Sequence, residues 1–320
     1  MTRKIGILTS GGDAPGMNAA IRAVTRSALT RGFEVFGIYD GYKGLVEGAI
    51  KPLDRSSVSD IMIRGGTVLG TARLEEFKAP EVQMAAIAQL KKFDIDSLVI
   101  IGGDGSYRGA ADLSAKGINT IGLPGTIDND TPGTDFTIGF FTALTTVVEC
   151  IDKLRDTSTS HHRCSVVEVM GNHCGDLCLY SAICSGAELA ITPEQGYDEA
   201  EILHTLAHLE EVKKKRHAIV ILTEKITDAE LLAKKISDAT GFSSRVTVLG
   251  HIQRGGSPVP FDRVLATRIG DYAVQMLAEG KSSQCIGIVN NQLVSTPIDV
   301  ALRTPKASRK QLVEMFERLV

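Results

Sequence analysis

Residues 98–130 carry the densest set of reactive groups in this sequence. Leu98-Val99-Ile100-Ile101 runs into Gly102-Gly103-Asp104-Gly105-Ser106. Thr120-Ile121-Gly122-Leu123 runs into Pro124-Gly125-Thr126-Ile127-Asp128-Asn129-Asp130. Glycines in the first turn let backbone N–H groups approach a phosphate closely, and Asp104 beside them offers a hard oxygen ligand for Mg2+. A strand-to-helix turn with Asp104 as a helix cap would need one glycine, not three. The second turn has carboxylates at alternate positions. In extended backbone such side chains project to the same side, so Asp128 and Asp130 are expected to face one space. An Asx-turn is the structural alternative. With Thr126 beside it, Asp128 is predicted to be a general base that removes a sugar hydroxyl proton, worth about 10²–10⁴ in rate. Metal-capable carboxylate, glycine cradle and paired carboxylates together point to phosphoryl transfer.

Other positions extend that chemistry. Ser10-Gly11-Gly12-Asp13-Ala14-Pro15-Gly16 is neither a Walker loop nor a dinucleotide fingerprint. It is either a glycine turn opening the first helix at Pro15 or a second phosphate contact. Arg22 and Arg26 stand four apart on the polar face of that helix, as a solvated face or an anion site. Arg73, Arg163, Arg245 and Arg254 fall in loops or at strand ends, with guanidinium forks suited to phosphate. His251-Ile252-Gln253-Arg254-Gly255-Gly256 mixes donors and glycines like a sugar or phosphate clamp.

Elements that could position these turns alternate along the chain. Strands are predicted at Ile5–Leu8, Phe33–Tyr39, Ser165–Met170, His217–Leu222 and Val246–Leu249, with Cys285–Val289 as the last. Helices are predicted at 80–92, from Phe140 past Leu154, at 175–185, at 198–215 closing on Lys213-Lys214-Lys215-Arg216, at 227–240 and at 264–277. Such alternation predicts parallel sheets covered on both sides, and ligands then lie outside the carboxyl ends of the strands. The 320 residues suit one large or two medium domains. A hydrophobic content of 43%, a charged content of 23% and a net charge of −3 are ordinary for a soluble chain and point to neither nucleic acid nor an anionic membrane. No apolar run reaches the ~18 residues of a span, and a cytoplasmic location is expected. The six cysteines lack zinc spacing and are read as small buried thiols.

Taken together, Thr9-Ser-Gly-Gly-Asp-Ala-Pro-Gly, Gly102-Gly-Asp-Gly-Ser, Pro124-Gly-Thr-Ile-Asp-Asn-Asp and Gly250-His-Ile-Gln-Arg-Gly-Gly resemble the motifs of the bacterial ATP-dependent 6-phosphofructokinases. The resemblance runs from about residue 3 to the final strand. It implies an α/β fold of two Rossmann-like three-layer domains with mostly parallel sheets: 1–138 plus 252–306 for ATP, and 139–251 plus 307–320 for sugar phosphate, with hinge closure between them. ATP would lie over Gly12, Arg73, Gly103, Asp104, Gly105 and Ser106, with Mg2+ on Asp104. Asp128 would deprotonate the 1-hydroxyl of fructose 6-phosphate, helped by Thr126, Asp130 and Arg73. Met170, Gly171, Asn172, Glu224, His251 and Arg254 would hold the sugar, and Arg163 and Arg245 its 6-phosphate from a neighbouring subunit of a homotetramer. Effectors, ADP as activator and phosphoenolpyruvate as inhibitor, would bind at Arg22, Arg26, Arg55, Arg155, Gly186, Glu188, Lys213 and Lys215. The implied reaction is the committed phosphorylation of glycolysis.

The sequence departs from the family pattern at Asn172, where relatives carry a basic residue, at Ser56, where they can stack a tyrosine on adenine, and at Lys214, where a glycine is expected. Pyrophosphate-dependent relatives tend to have Asp for Gly105 and Lys for Gly125, so two glycines favour ATP. A lipid or NAD kinase would share the Gly-Gly-Asp-Gly turn but not the Thr-Ile-Asp-Asn-Asp turn. A catalytically weak nucleotide sensor is the non-enzymatic alternative.

Overall fold

The computed structural model describes residues 3–320. The chain divides into two units, one running up to Thr142 and resuming over Arg254–Ala307, the other formed by Ala143–Gln253 and Ser308–Val320. The first unit opens with β1 (Lys4–Thr9), α1 (Met17–Thr30), β2 (Glu34–Ile38), α2 (Gly41–Glu47), β3 (Ile50–Leu53), α3 (Pro80–Lys92), β4 (Ser97–Gly102), α4 (Asp104–Ala115) and β5 (Asn119–Pro124). Then come α5 (Phe140–His161), β6 (Arg163–Val169), α6 (Asp176–Ser185), β7 (Leu189–Ile191), α7 (Glu199–Glu211), β8 (Ala218–Thr223), α8 (Ala229–Ala239) and β9 (Ser243–Val248). The first unit is completed by α9 (Pro260–Ala278), β10 (Gln284–Val289), β11 (Gln292–Pro297) and α10 (Ile298–Ala301). Helix α11 (Lys310–Leu319) belongs to the second.

The first unit has a seven-stranded sheet of order β11-β10-β5-β4-β1-β2-β3. Its inner pairs are parallel, and β3 and β11 add antiparallel edges. All of β4 is buried, which explains its unbroken apolar run: helices cover both faces of a parallel sheet. On one face Leu8, Ile38 and Ile100 pack with Tyr42, Leu45, Leu90, Tyr107 and Leu113 of α2, α3 and α4. Helix α1 buries Met17, Ala20, Ile21, Val24 and Ala28, the expected stripe, and packs on α9. Gly270 of α9 permits that approach, since a Cβ there would stand 2.9 Å from Ala23 Cβ. Asp262 of α9 is fully buried and accepts the backbone N–H groups of Gly139 (3.0 Å) and Thr142 (2.8 Å), capping the first turn of α5.

The second unit has a four-stranded, all-parallel sheet of order β7-β8-β6-β9. Cys164, Val166, Val220 and Leu222 pack there against Ile202, Leu206, Leu232 and Ile236. All six cysteines are free. Burial pushes the Cys164 and Cys178 thiols up to about 12, so they are packing groups rather than nucleophiles. Among the described residues no helix is long and apolar enough to cross a membrane.

Two expectations are corrected. Helix α7 stops at Glu211, so Lys213–Arg216 lies in the following loop, where Lys214 takes a left-handed φ of 54°, and does not sit on the helix dipole. The strand at 284–289 is not the last: β11 pairs with it across Asn290-Asn291, whose φ values of 50° and 61° suit a tight hairpin. Strand β7 and the α2–β3 pair are too short to leave a periodic signal.

Candidate active site

In the first unit β5, β4 and β1 are neighbours and parallel, so the turns after them leave the sheet side by side. Backbone bonds stitch their bases: Ser10 N–H donates to Ile101 O (3.0 Å), and Gly125 N–H to Gly102 O (3.0 Å). A left-handed φ of 85° at Gly11 bends the first turn, and Gly12 leaves room for the Arg254 guanidinium, whose Nη1 donates to Asp13 O (3.4 Å). Thr71 Oγ1 bonds Gly11 O (2.7 Å), so the irregular stretch that carries the exposed Arg73 is tied to the same turn.

Helix α4 begins directly after β4, with Gly103 as N-cap and no side-chain cap. Asp104 is therefore not the capping group. It lies in the first turn, where the helix dipole favours a negative charge, and pairs with Arg108 at 2.9 Å. Sequence reasoning missed Arg108, although its i,i+4 spacing from Asp104 was there to find. A Cβ at Gly105 would meet nothing within 4 Å, so the space over the helix N-terminus is open. Ser106 is buried beneath the turn. Gly125 differs from Gly105: its Cβ would stand 2.9 Å from Ile101 Cγ2 and 3.0 Å from Met17 Cε. Gly125 therefore answers to packing, and only Gly105 borders open space.

The third turn is locked from inside. Asn129 is fully buried with φ 53°, and its Oδ1 accepts Thr137 N–H (2.8 Å) while its Nδ2 donates to Asp135 O (3.2 Å). Thr137 Oγ1 donates to Thr126 O (2.6 Å). Thr126 Oγ1 receives Asp128 N–H (3.2 Å), and Asp128 is 9% exposed. The backbone bends here, so the extended-chain argument placing Asp128 and Asp130 on one side does not hold. Asp128 is set by the Thr126–Asn129–Thr137 network instead.

The second unit has its own carboxyl edge. After β6, Met170 N–H donates to Gln253 Oε1 (3.1 Å), and Gly171 has φ 149° with a Cβ path closed by Cys174 O. Buried Gln253 also bonds Gly250 O (3.0 Å), joining the exposed His251 turn to Met170; its role was not anticipated. After β8, Glu224 Oε1 accepts Asn172 N–H (3.0 Å). Arg163 and Arg245 are elsewhere. Arg163 is the first residue of β6, and Arg245 stands opposite Ser165 on β9. Seven residues of strand separate Arg163 from Met170, about 23 Å.

The predicted effector residues form separate groups. Arg22 and Arg26 are half-buried on α1, the Arg26 Nε is buried without a hydrogen-bond partner, and Arg55 Nη2 bonds Thr30 Oγ1 (2.9 Å). In the second unit Arg155 donates to Ser185 O (2.6 Å), Gly186 O (3.1 Å) and faces His217 Nε2 (3.2 Å). Buried Glu188 accepts Lys215 Nζ (2.7 Å) and Ile219 N–H (2.7 Å), while Lys213 reaches Val320 O (3.2 Å). His217, not singled out from sequence, is shifted below the ordinary imidazole value, first by burial, against the opposing pull of Glu188 and with Arg155 and Lys215 adding to the shift.

A phosphofructokinase profile matches residues 4–277. The chain belongs to the phosphofructokinase family. It is 58% identical to the ATP-dependent 6-phosphofructokinases of Vibrio campbellii and Vibrio cholerae, over the full length of each. Among solved structures, phosphofructokinase from Pichia pastoris matches with TM-score 0.89 and 37% identity, over 100% of this chain and 37% of that one. The Saccharomyces cerevisiae phosphofructokinase matches with TM-score 0.86 and 36% identity, over 99% of this chain and 47% of that one. A pyrophosphate-dependent phosphofructokinase from Marinobacter aquaeolei, 21% identical with TM-score 0.82, shares the fold. The α/β phosphofructokinase architecture expected from the motifs is therefore the one present.

Proposed function

We propose that this chain transfers the γ-phosphoryl group of ATP to the 1-hydroxyl of D-fructose 6-phosphate, giving fructose 1,6-bisphosphate and ADP. The observation that carries the reading is the run of polar turns on adjacent strands β1, β4 and β5, ending in the network-held Asp128. The names of full-length relatives at 58% identity agree with it. Open space at Gly105 suits a nucleotide over the N-terminus of α4.

In this reading Gly12, Gly103, Gly105 and Ser106 line the phosphates, and exposed Arg73 reaches the transferred group. Asp128 accepts the proton of the 1-hydroxyl, with Thr126 and Asp130 assisting. Catalysis is mainly positioning and charge neutralisation, because a loose phosphoryl transition state leaves little covalent work for the protein. Asp104 fits Mg2+: a partly exposed carboxylate, it retains lone pairs beyond those Arg108 uses, and Mg2+ commonly takes one or two protein carboxylates with phosphate oxygens. Bound there, the ion would neutralise phosphate charge.

Met170, Gly171, Asn172, Glu224, His251 and Arg254 hold the sugar. Arg163 and Arg245 lie too far along the strands to serve the ligand that Met170 serves. That separation supports a site completed by the arginines of another copy, and so an oligomer, read here as the homotetramer of the family, with a route for subunit rotation to act on affinity. ADP and phosphoenolpyruvate act at Arg22, Arg26, Arg55, Arg155, Gly186, Glu188, Lys213 and Lys215. The unpartnered Arg26 Nε supports an anionic ligand. Ser56 bonds Asp54 (2.7 Å) and offers adenine no ring, so ADP activation is expected to be weak. The cytoplasm is the compartment where ATP and a phosphorylated sugar are at hand.

Formation of fructose 1,6-bisphosphate, measured with MgATP against Mg-pyrophosphate and each with and without ADP, tests this. Product with ATP alone is expected. Product with pyrophosphate overturns the donor assignment, and no product with either donor overturns the kinase reading.

A further inference from the structure

From Asp54 to Leu74 the first unit runs without helix or strand. Irregular stretches of that length are uncommon in compact domains and usually functional. Their backbone N–H and C=O groups must find partners outside the regular ladders. One side chain meets much of that need. Asn18, the second residue of α1 and fully buried, donates through Nδ2 to Arg64 O (2.9 Å) and Gly66 O (2.8 Å) and accepts Val68 N–H at Oδ1 (2.8 Å). Both amide N–H groups and the carbonyl are thereby used.

Further bonds tie the same stretch down. Asp40 N–H donates to Leu69 O (2.8 Å), Thr9 Oγ1 to Gly70 O (2.7 Å) and Thr71 Oγ1 to Gly11 O (2.7 Å). Thr9 ends β1 and Gly11 opens the first glycine turn, so the chain at Thr71 lies against that turn. Arg73 follows Thr71 after one intervening residue, exposed and at most about 7 Å farther along the backbone. A guanidinium on a flexible stem is only as well placed as the backbone that carries it. The Thr71 bond is open to solvent, whereas the Asn18 amide is shielded, so its loss is the more costly. All these groups belong to the first unit.

We propose that Asn18 is the positioning residue of Arg73: its amide fixes the course of residues 64–68, and through them the approach of Arg73 to the first glycine turn. The inference rests on the kinase reading above, in which that turn lines the ATP phosphates and Arg73 meets the transferred group. Asn18 itself touches no substrate. It acts through the place at which a cation meets the moving phosphoryl group, where a displacement of about 1 Å costs about 10²-fold in rate.

Steady-state kinetics with MgATP and limited trypsin digestion of the full chain test it. Asn18→Ala should lower kcat by about tenfold or more, with KM for both substrates within about threefold of the parent, because the interaction lost is one made in the transition state. In an Arg73→Ala background the same change should cost less than about twofold, since the cation it places is gone. Trypsin should cut after Arg64 or Arg73 sooner in the Asn18→Ala chain than in the parent. Asn18→Asp keeps the side-chain shape and the bond to Val68 N–H and, ionised at neutral pH, loses both donors. It should shift kcat and cleavage in the same direction, and it decides the matter if the alanine variant does not fold. Equal kcat losses in the two backgrounds, or cleavage at the parent rate, overturn the assignment. A parent that makes no product from MgATP refutes the kinase reading itself; a productive parent whose kcat Asn18→Ala leaves within about twofold refutes only the role of Asn18.

Discussion

The carboxyl edges of the two units are built by opposite means. In the first, glycines, a buried asparagine and backbone bonds shape the three turns, and Asp128 is 9% exposed. In the second, most of the proposed groups are long side chains on or just beyond the strands: Glu224, His251, Arg163 and Arg245. The difference matches the tasks proposed for them. A general base must sit within hydrogen-bond reach of one proton, so its backbone is fixed. Recognition of phosphate tolerates reach and tilt, and charge acts across a longer distance.

The sharpest way to break that contrast is Asp128→Ser. It should lower kcat by about 10²–10⁴ while leaving the fold and the fructose 6-phosphate KM near the parent. Turnover close to the parent, with the fold intact by circular dichroism, would remove Asp128 as the base.

Next, the two glycines of the first edge should separate. Gly125→Ala places a methyl 2.9 Å from Ile101 Cγ2 and should cost about 1–3 kcal/mol, read as a lowered Tm. Gly105→Ala meets open space and should leave Tm unchanged while raising the KM for ATP. Equal thermal effects would show that packing does not distinguish them.

The smallest effect concerns the second unit, at the Arg155–Glu188–His217 cluster. His217 has a lowered folded pKa, so the unfolded chain binds the extra proton first as pH falls. Its neutral form is therefore matched to the fold, and stability should decline as pH drops through about 6.5. His217→Gln should flatten that slope in urea unfolding measured from pH 7.5 to 5.5. An identical slope would exclude His217 as a contributor.

How much of this was legible beforehand follows from the range of each interaction. The apolar run 98–101, the stripe of α1 and the glycine turns carry periodic or compositional signals within a few residues, and the parallel α/β class followed from their alternation. Arg108 was equally local and was overlooked. Gln253 was not legible: it matters because it meets Met170, 83 positions away in sequence. The same holds for His217 beside Arg155. The period-two argument for the paired carboxylates does not apply, because a left-handed Asn129 interrupts the extended backbone it assumes.

By itself, then, the order of residues determined the fold class, the phosphofructokinase motifs and the identity of the reactive groups, because those depend on neighbours in the chain. Tertiary structure alone decided which turns stand side by side, that Gly125 serves packing while Gly105 serves space, and that Arg163 opens β6 while Met170 follows its far end. Those outcomes depend on strand order and register, which residues distant in sequence settle by packing and hydrogen bonding together.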